Sequence, residues 1–86
     1  MITIYTAMLC PYCARALQLL RSKNVAIEEI DVTYDPAERA QMRARAGGRN
    51  SVPQIWVGET HVGGSDELAA LERAGELDPM IAAAAQ

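Results

Sequence analysis

Apolar positions change their period along this chain, and the changes mark its elements. Ile2 to Thr6 is a β-branched run that reads as a first strand. From Pro11 to about Ser22 the apolar residues Cys13, Ala16, Leu17 and Leu20 recur at i, i+3, i+4 and i+7, the stripe of an amphipathic helix. Lys23-Asn24 closes it, because asparagine tolerates the left-handed turn that ends helices. Ile27 to Val32 is a second strand. Asp35-Pro36-Ala37-Glu38 then supplies an N-cap, a proline at the first helical position and a glutamate able to complete a capping box. The second helix that follows ends at Gly47-Gly48. Gln54 to Val57 and His61 to Val62 flank Gly58-Glu59 as a hairpin. Ser65-Asp66-Glu67 opens a third helix through Ala74, with Gly75 as its stop. Asp78-Pro79 starts a short alanine-rich final helix that frays at its end.

The order β-α-β-α-β-β-α implies an α/β fold: a four-stranded mixed sheet with helices packed on both faces. At 86 residues, half of them hydrophobic, residues 1–86 form one compact domain with no room for a second. The chain opens directly on its first strand, without the basic segment, apolar stretch and cleavage site of a secretory signal, and no apolar run approaches membrane-spanning length. The expectation is a cytoplasmic protein without membrane contact. A formal net charge of −3 argues against broad nucleic-acid binding. Arg39, Arg43, Arg45 and Arg49 make a local basic stretch, which reads as a solvated helix face.

The chemistry lies in Cys10-Pro11-Tyr12-Cys13, which holds both cysteines of the chain. A structural zinc site needs four ligands, and this pair is accompanied by a lone His61. A structural disulfide across so tight a loop would remove little entropy from the unfolded chain. A reversible dithiol remains. Cys10 falls at the N-cap of the first helix, where unpaired amides and the positive end of the helix dipole favour a thiolate, the attacking species. Pro11 suits the first helical position, since its missing N–H had no partner there. Cys13 lies on the buried stripe, suited to resolving a mixed disulfide from inside and poorly suited to attacking one from outside. As a small apolar residue it also serves the core.

Two further segments carry readings of their own. Gly63-Gly64 permits close backbone approach, and Ser65-Asp66 stands at a helix N-terminus whose free amides can hold a carboxylate or merely be capped. Spacing alone does not choose. Pro53 by base rate follows a trans bond and starts an edge strand, and Trp56 reads as a packing residue.

Cys-Pro-Tyr-Cys, Ser51-Val52-Pro53 and Gly63-Gly64-Ser65-Asp66, in this order and on this element pattern, resemble the glutaredoxins over essentially the whole chain, most closely the small bacterial dithiol members. The resemblance implies a thioredoxin-like fold and a glutathione-dependent thiol-disulfide oxidoreductase. It implies a cis Val52-Pro53 bond, with the Val52 backbone pairing with the cysteinyl part of glutathione. The Ser65 and Asp66 amides would grip the γ-glutamyl carboxylate beside Gly64, and the Asp66 side chain would pair with the α-amine. Tyr12 would flank the reactive sulfur and contact glutathione. No tightly bound cofactor is implied; glutathione is a co-substrate. The partners are glutathione and disulfide-containing or glutathionylated proteins, met by a monomer.

The chain departs from the family pattern at Ala7, where many members carry a lysine that binds the glycyl carboxylate. Arg49 is the substitute favoured by chain position, ahead of Arg39 and Arg43. Ser51 replaces the usual threonine, and Met8 and Leu9 give the nucleophile an apolar rim suited to hydrophobic protein partners. His61 reads as a strand-end residue without a catalytic role. Three rival functions stand beside this one. A thioredoxin-type reductase would work near −270 mV rather than about −200 to −230 mV. An iron–sulfur carrier would use Cys10 and glutathione from two subunits, which Pro11 argues against. A non-catalytic module on the same fold would leave two intact cysteines without purpose.

Overall fold

The computed structural model describes residues 1–85. Strand β1 (Ile2–Thr6), helix α1 (Pro11–Arg21), strand β2 (Ile27–Asp31), helix α2 (Pro36–Arg45), strands β3 (Gln54–Val57) and β4 (Thr60–Gly63), and helices α3 (Ser65–Arg73) and α4 (Leu77–Ala84) follow in that order. Strand β2 stops one residue earlier than the pattern predicts, and β4 runs one residue longer at each end. Asn24 takes the left-handed conformation, φ 57°, that closes α1. At the start of α2 the Asp35 side chain accepts the Glu38 amide at 3.0 Å.

The strands form one mixed sheet in the order β2-β1-β3-β4, with β1 and β2 parallel and the other pairs antiparallel. A parallel pair needs a crossover, which α1 provides, whereas β3 and β4 need only a tight turn. Strand β1 is buried along its whole length because both of its faces are covered. Ile2 and Ile4 join Ala16, Leu17 and Leu20 of α1, Ile55 and Val57 of β3, Leu68 of α3 and Leu77 of α4 in the larger core. The opposite face is covered by α2, where Tyr5, Val32, Met42, Ala46 and Trp56 pack together. Lys23 ties the end of α1 to the C-terminal helices through Glu72 at 2.7 Å and Asp78 at 2.9 Å.

Arg43, Arg45 and Arg49 of the basic stretch are exposed, as a solvated face should be, and each also makes a defined contact. Arg45 lies over the Trp56 ring with its guanidinium carbon 4.4 Å from the centroid and donates to the Tyr5 hydroxyl at 2.9 Å. Trp56 meets Tyr5 edge-to-face at 5.4 Å and is almost wholly buried, as expected of a packing residue. Arg45 belongs to this layer because its planar cation covers an aromatic face while its N–H groups still find an acceptor. No helix among the described residues is long and apolar enough to cross a membrane.

Candidate active site

Strand β1 delivers the chain to the cysteines at its C-terminal end. Met8 is tied to the loop after β2 by its amide, which donates to Thr33 Oγ1 at 2.8 Å. Cys10 is the N-cap of α1, with extended backbone at φ −115° and ψ 98°, and its sulfur accepts the Cys13 amide at 3.1 Å. A thiol in this place meets one of the helix's unpaired N–H groups directly. Cys10 is half-buried rather than fully exposed, and Cys13 is 3% exposed. Burial, and after it the hydrogen bond shared with Cys10, pushes the Cys13 thiol up to about 12.

The segment before β3 approaches from the other side. The Val52-Pro53 bond is cis, as the resemblance implies and against the base rate for proline. Cys10 Sγ lies 3.9 Å from the Val52 carbonyl oxygen. Two sets of side chains hold this segment in place. Arg39 donates to the Asn50 carbonyl at 2.7 Å and to its side-chain oxygen at 3.1 Å, and Arg43 reaches the same side-chain oxygen at 3.2 Å. From within the sheet, fully buried Gln54 donates to the Ser51 carbonyl at 3.0 Å. Arg39 and Arg43, the secondary candidates for binding an anion, are thus occupied in shaping the loop.

Helix α3 brings the third part. Its N-cap is Gly64, and Ser65 and Asp66 open the helix in its first turn, as the sequence predicts. Amides in that turn have no intrahelical acceptor. The Glu67 carboxylate folds back to accept the Gly64 amide at 2.7 Å, and the same oxygen lies 2.9 Å from Arg49 Nη1. Those two donors hold the Glu67 carboxyl below its ordinary value, the Gly64 amide contributing most.

These segments enclose an open cleft of about 160 Å³. Tyr12 lines it from α1, Arg49, Ser51, Val52 and Pro53 from the segment before β3, and Gly64, Ser65, Asp66 and Glu67 from the start of α3. Tyr12, Arg49, Val52, Pro53, Gly64, Ser65 and Asp66, all candidates for contact with glutathione, therefore line one space, whereas Arg39 and Arg43 do not. Cys10 and Cys13 lie outside that lining, in a second groove on the side of α1 that faces β2. Ala7, at the position of the family lysine, lines the second groove as well. Glu67 and Asn50 were not singled out by sequence. An acid three residues after the N-cap is the visible signal for the first, whereas Asn50 depends on long-range contacts with α2. His61 sits within β4, stacked on Trp56 at 4.6 Å and bonded to Gln54 at 2.8 Å. Among the described residues no group of three or more His, Cys, Asp or Glu side chains converges as metal ligands would.

Residues 2–62 match the glutaredoxin family model. The chain belongs to the glutaredoxin family. A glutaredoxin of Pseudomonas aeruginosa is 55% identical over 82 residues, covering 95% of this chain and 96% of that one. Glutaredoxin 3 of Escherichia coli is 45% identical over 80 residues, covering 93% and 95%. The solution structure of a Brucella melitensis glutaredoxin superposes with a TM-score of 0.80 at 50% identity, covering 93% of this chain and 86% of that chain. A buckwheat glutaredoxin, solved as its glutathione complex, shares the fold with a TM-score of 0.87 at 24% identity, covering 98% and 78%. Glutaredoxins are glutathione-dependent thiol-disulfide oxidoreductases, and that is the activity of this chain.

Proposed function

We propose that this glutaredoxin divides its chemistry unequally between its cysteines, with Cys10 as nucleophile and Cys13 as resolving thiol. The observation that carries the reading is the Cys10 sulfur, which receives the Cys13 amide at 3.1 Å and lies 3.9 Å from the Val52 carbonyl. Cys10 thiolate attacks a glutathione mixed disulfide, forms a Cys10–glutathione disulfide and expels the substrate thiolate. A second glutathione attacks that bond, giving oxidised glutathione and free Cys10. With a protein disulfide, Cys10 first bonds to one substrate sulfur. Cys13 then attacks Cys10 Sγ, expels the reduced substrate and leaves a Cys10–Cys13 disulfide, which two glutathiones reduce.

Glutathione occupies the cleft as co-substrate rather than as a tightly bound cofactor. The Ser65 and Asp66 amides take its γ-glutamyl carboxylate at the positive end of α3, and the Asp66 carboxylate takes the α-amine. Gly64 leaves room for close approach, Val52 and Pro53 offer backbone to the cysteinyl unit, and Tyr12 closes the rim. Arg49 supplies the cation missing at Ala7, oriented by Glu67. Residues 1–86 act as one domain and as a monomer in the cytoplasm, on glutathionylated and disulfide-containing proteins. Glutathione-dependent turnover of a glutathionylated peptide tests the division of roles: Cys10→Ser should lose activity, while Cys13→Ser should keep much of it. Equal loss in both variants refutes it.

A further inference from the structure

We propose that Glu29 accepts the proton of Cys13 in the step that closes the Cys10–Cys13 disulfide. The inference rests on the division of roles proposed above and adds a residue to its second step. In the parallel pairing of β1 with β2, Glu29 stands opposite Ile4, whose side chain packs in the α1-side core. Neighbours in register share a face, so Glu29 is carried to the α1 side of the sheet. There Thr6 Oγ1 donates to Glu29 Oε2 at 2.9 Å, and Arg21 Nη2 stands 3.7 Å from Glu29 Oε1. The carboxylate lines the same groove, of about 530 Å³, as Cys10 and Cys13. A water takes roughly 30 Å³, so the groove has room for one to relay a proton between thiol and carboxylate. Thr6 apart, the groove's other side chains are apolar and accept no proton.

The groups facing Cys13 are few. The start of α1 presents Cys10, β2 presents Glu29 with Arg21 behind it, and β1 presents Thr6, which does not titrate. When Cys10 is held in a mixed disulfide its own thiolate is gone, and Glu29 is the base that remains in the groove. The step balances as follows: Cys13 gives its proton to Glu29, its sulfur bonds to Cys10 Sγ, the Cys10–substrate bond breaks, and the substrate thiolate takes a proton from solvent as Glu29 returns one. A carboxylate acting only through its charge would do the reverse, holding the thiol protonated and slowing the attack.

The opposite signs make a decisive test. Cys10 is loaded as a mixed disulfide with 2-mercaptoethanol, which needs no glutathione site, and closure with Cys13 is followed across pH in wild type, Glu29→Gln and Glu29→Asp. Glu29→Gln keeps an acceptor for Thr6. It should slow closure by at least about tenfold, with a flattened pH dependence, and Glu29→Asp should recover most of the rate. Turnover of a glutathionylated peptide, which bypasses Cys13, should fall far less. Closure by Glu29→Gln at or above the wild-type rate overturns the proposal, as does an equal loss in both assays. A wild type that fails to close overturns the resolving role of Cys13 itself.

Discussion

Arg49 and Glu67 meet beside the cleft, with Nη1 2.9 Å from the carboxylate oxygen that also receives the Gly64 amide. One acid therefore holds the N-terminus of α3 and orients Arg49 beside it. Because its folded carboxyl lies below the ordinary value, Glu67 adds stability that is fully present above about pH 4.5 and lost as pH falls through the lower folded value. Glu67→Gln keeps an acceptor for Gly64 but removes the charge. Urea-unfolding midpoints should fall less steeply below pH 5 in Glu67→Gln than in wild type, and parallel pH curves would reject the linkage.

The two thiols should separate by reactivity. With its thiol pushed up to about 12, Cys13 stays protonated at pH 8, and its burial hinders reagents further. Iodoacetamide at that pH should give a single adduct, located at Cys10 by peptide mass spectrometry, with the second appearing only after denaturant is added. Simultaneous labelling of both cysteines in the folded protein would contradict the burial of Cys13.

What was legible in the sequence is what local periodicity and backbone chemistry encode. The Cys13-Ala16-Leu17-Leu20 stripe identified the buried face of α1 and separated the two cysteines, because helix geometry converts spacing directly into facing. Asp35 and Asn24 announced a helix start and stop through their own hydrogen-bonding and conformational habits. The basic stretch is solvated as its spacing predicts, but its contacts were not legible because its members diverge only in three dimensions. Arg45 turns onto Trp56, Arg39 and Arg43 reach Asn50, and Arg49 crosses to Glu67. Spacing places charges on a helix face; it does not say which loop or strand will be folded against them.

His61 offers a probe of that α2-side layer. Gln54 donates its amide to Ser51, which turns Gln54 Oε1 toward His61 Nε2 and makes that nitrogen the donor. Burial, and after it the charge of Arg49, lowers the imidazole below its ordinary 6.5. As the chain's one histidine it can be followed by proton NMR without ambiguity. Its midpoint should fall below 6.5, and His61 should cost stability as pH drops through 6.5 because the unfolded chain takes the proton first. A midpoint at or above 6.5 would place the ring in solvent rather than against Trp56.

The adjacent glycines before α3 should respond differently to alanine. Gly63 has φ +114°, in the region that side chains avoid, and an added methyl group would run into Glu67 Oε1 and lie 3.0 Å from Arg49 Nη1. Relieving that collision means breaking the Arg49–Glu67 pair or the Glu67–Gly64 cap. Gly64 has φ −100°, and its methyl group would meet the Pro53 carbonyl at an ordinary 3.4 Å. Gly63→Ala should therefore lose about 1–3 kcal/mol in chemical denaturation. Gly64→Ala, which only replaces a favourable N-cap residue, should lose about 1 kcal/mol or less. The order of the two is the test. If Gly64→Ala proved the more damaging, Glu67 would not be packed against Gly63, and Arg49 would have to be held some other way.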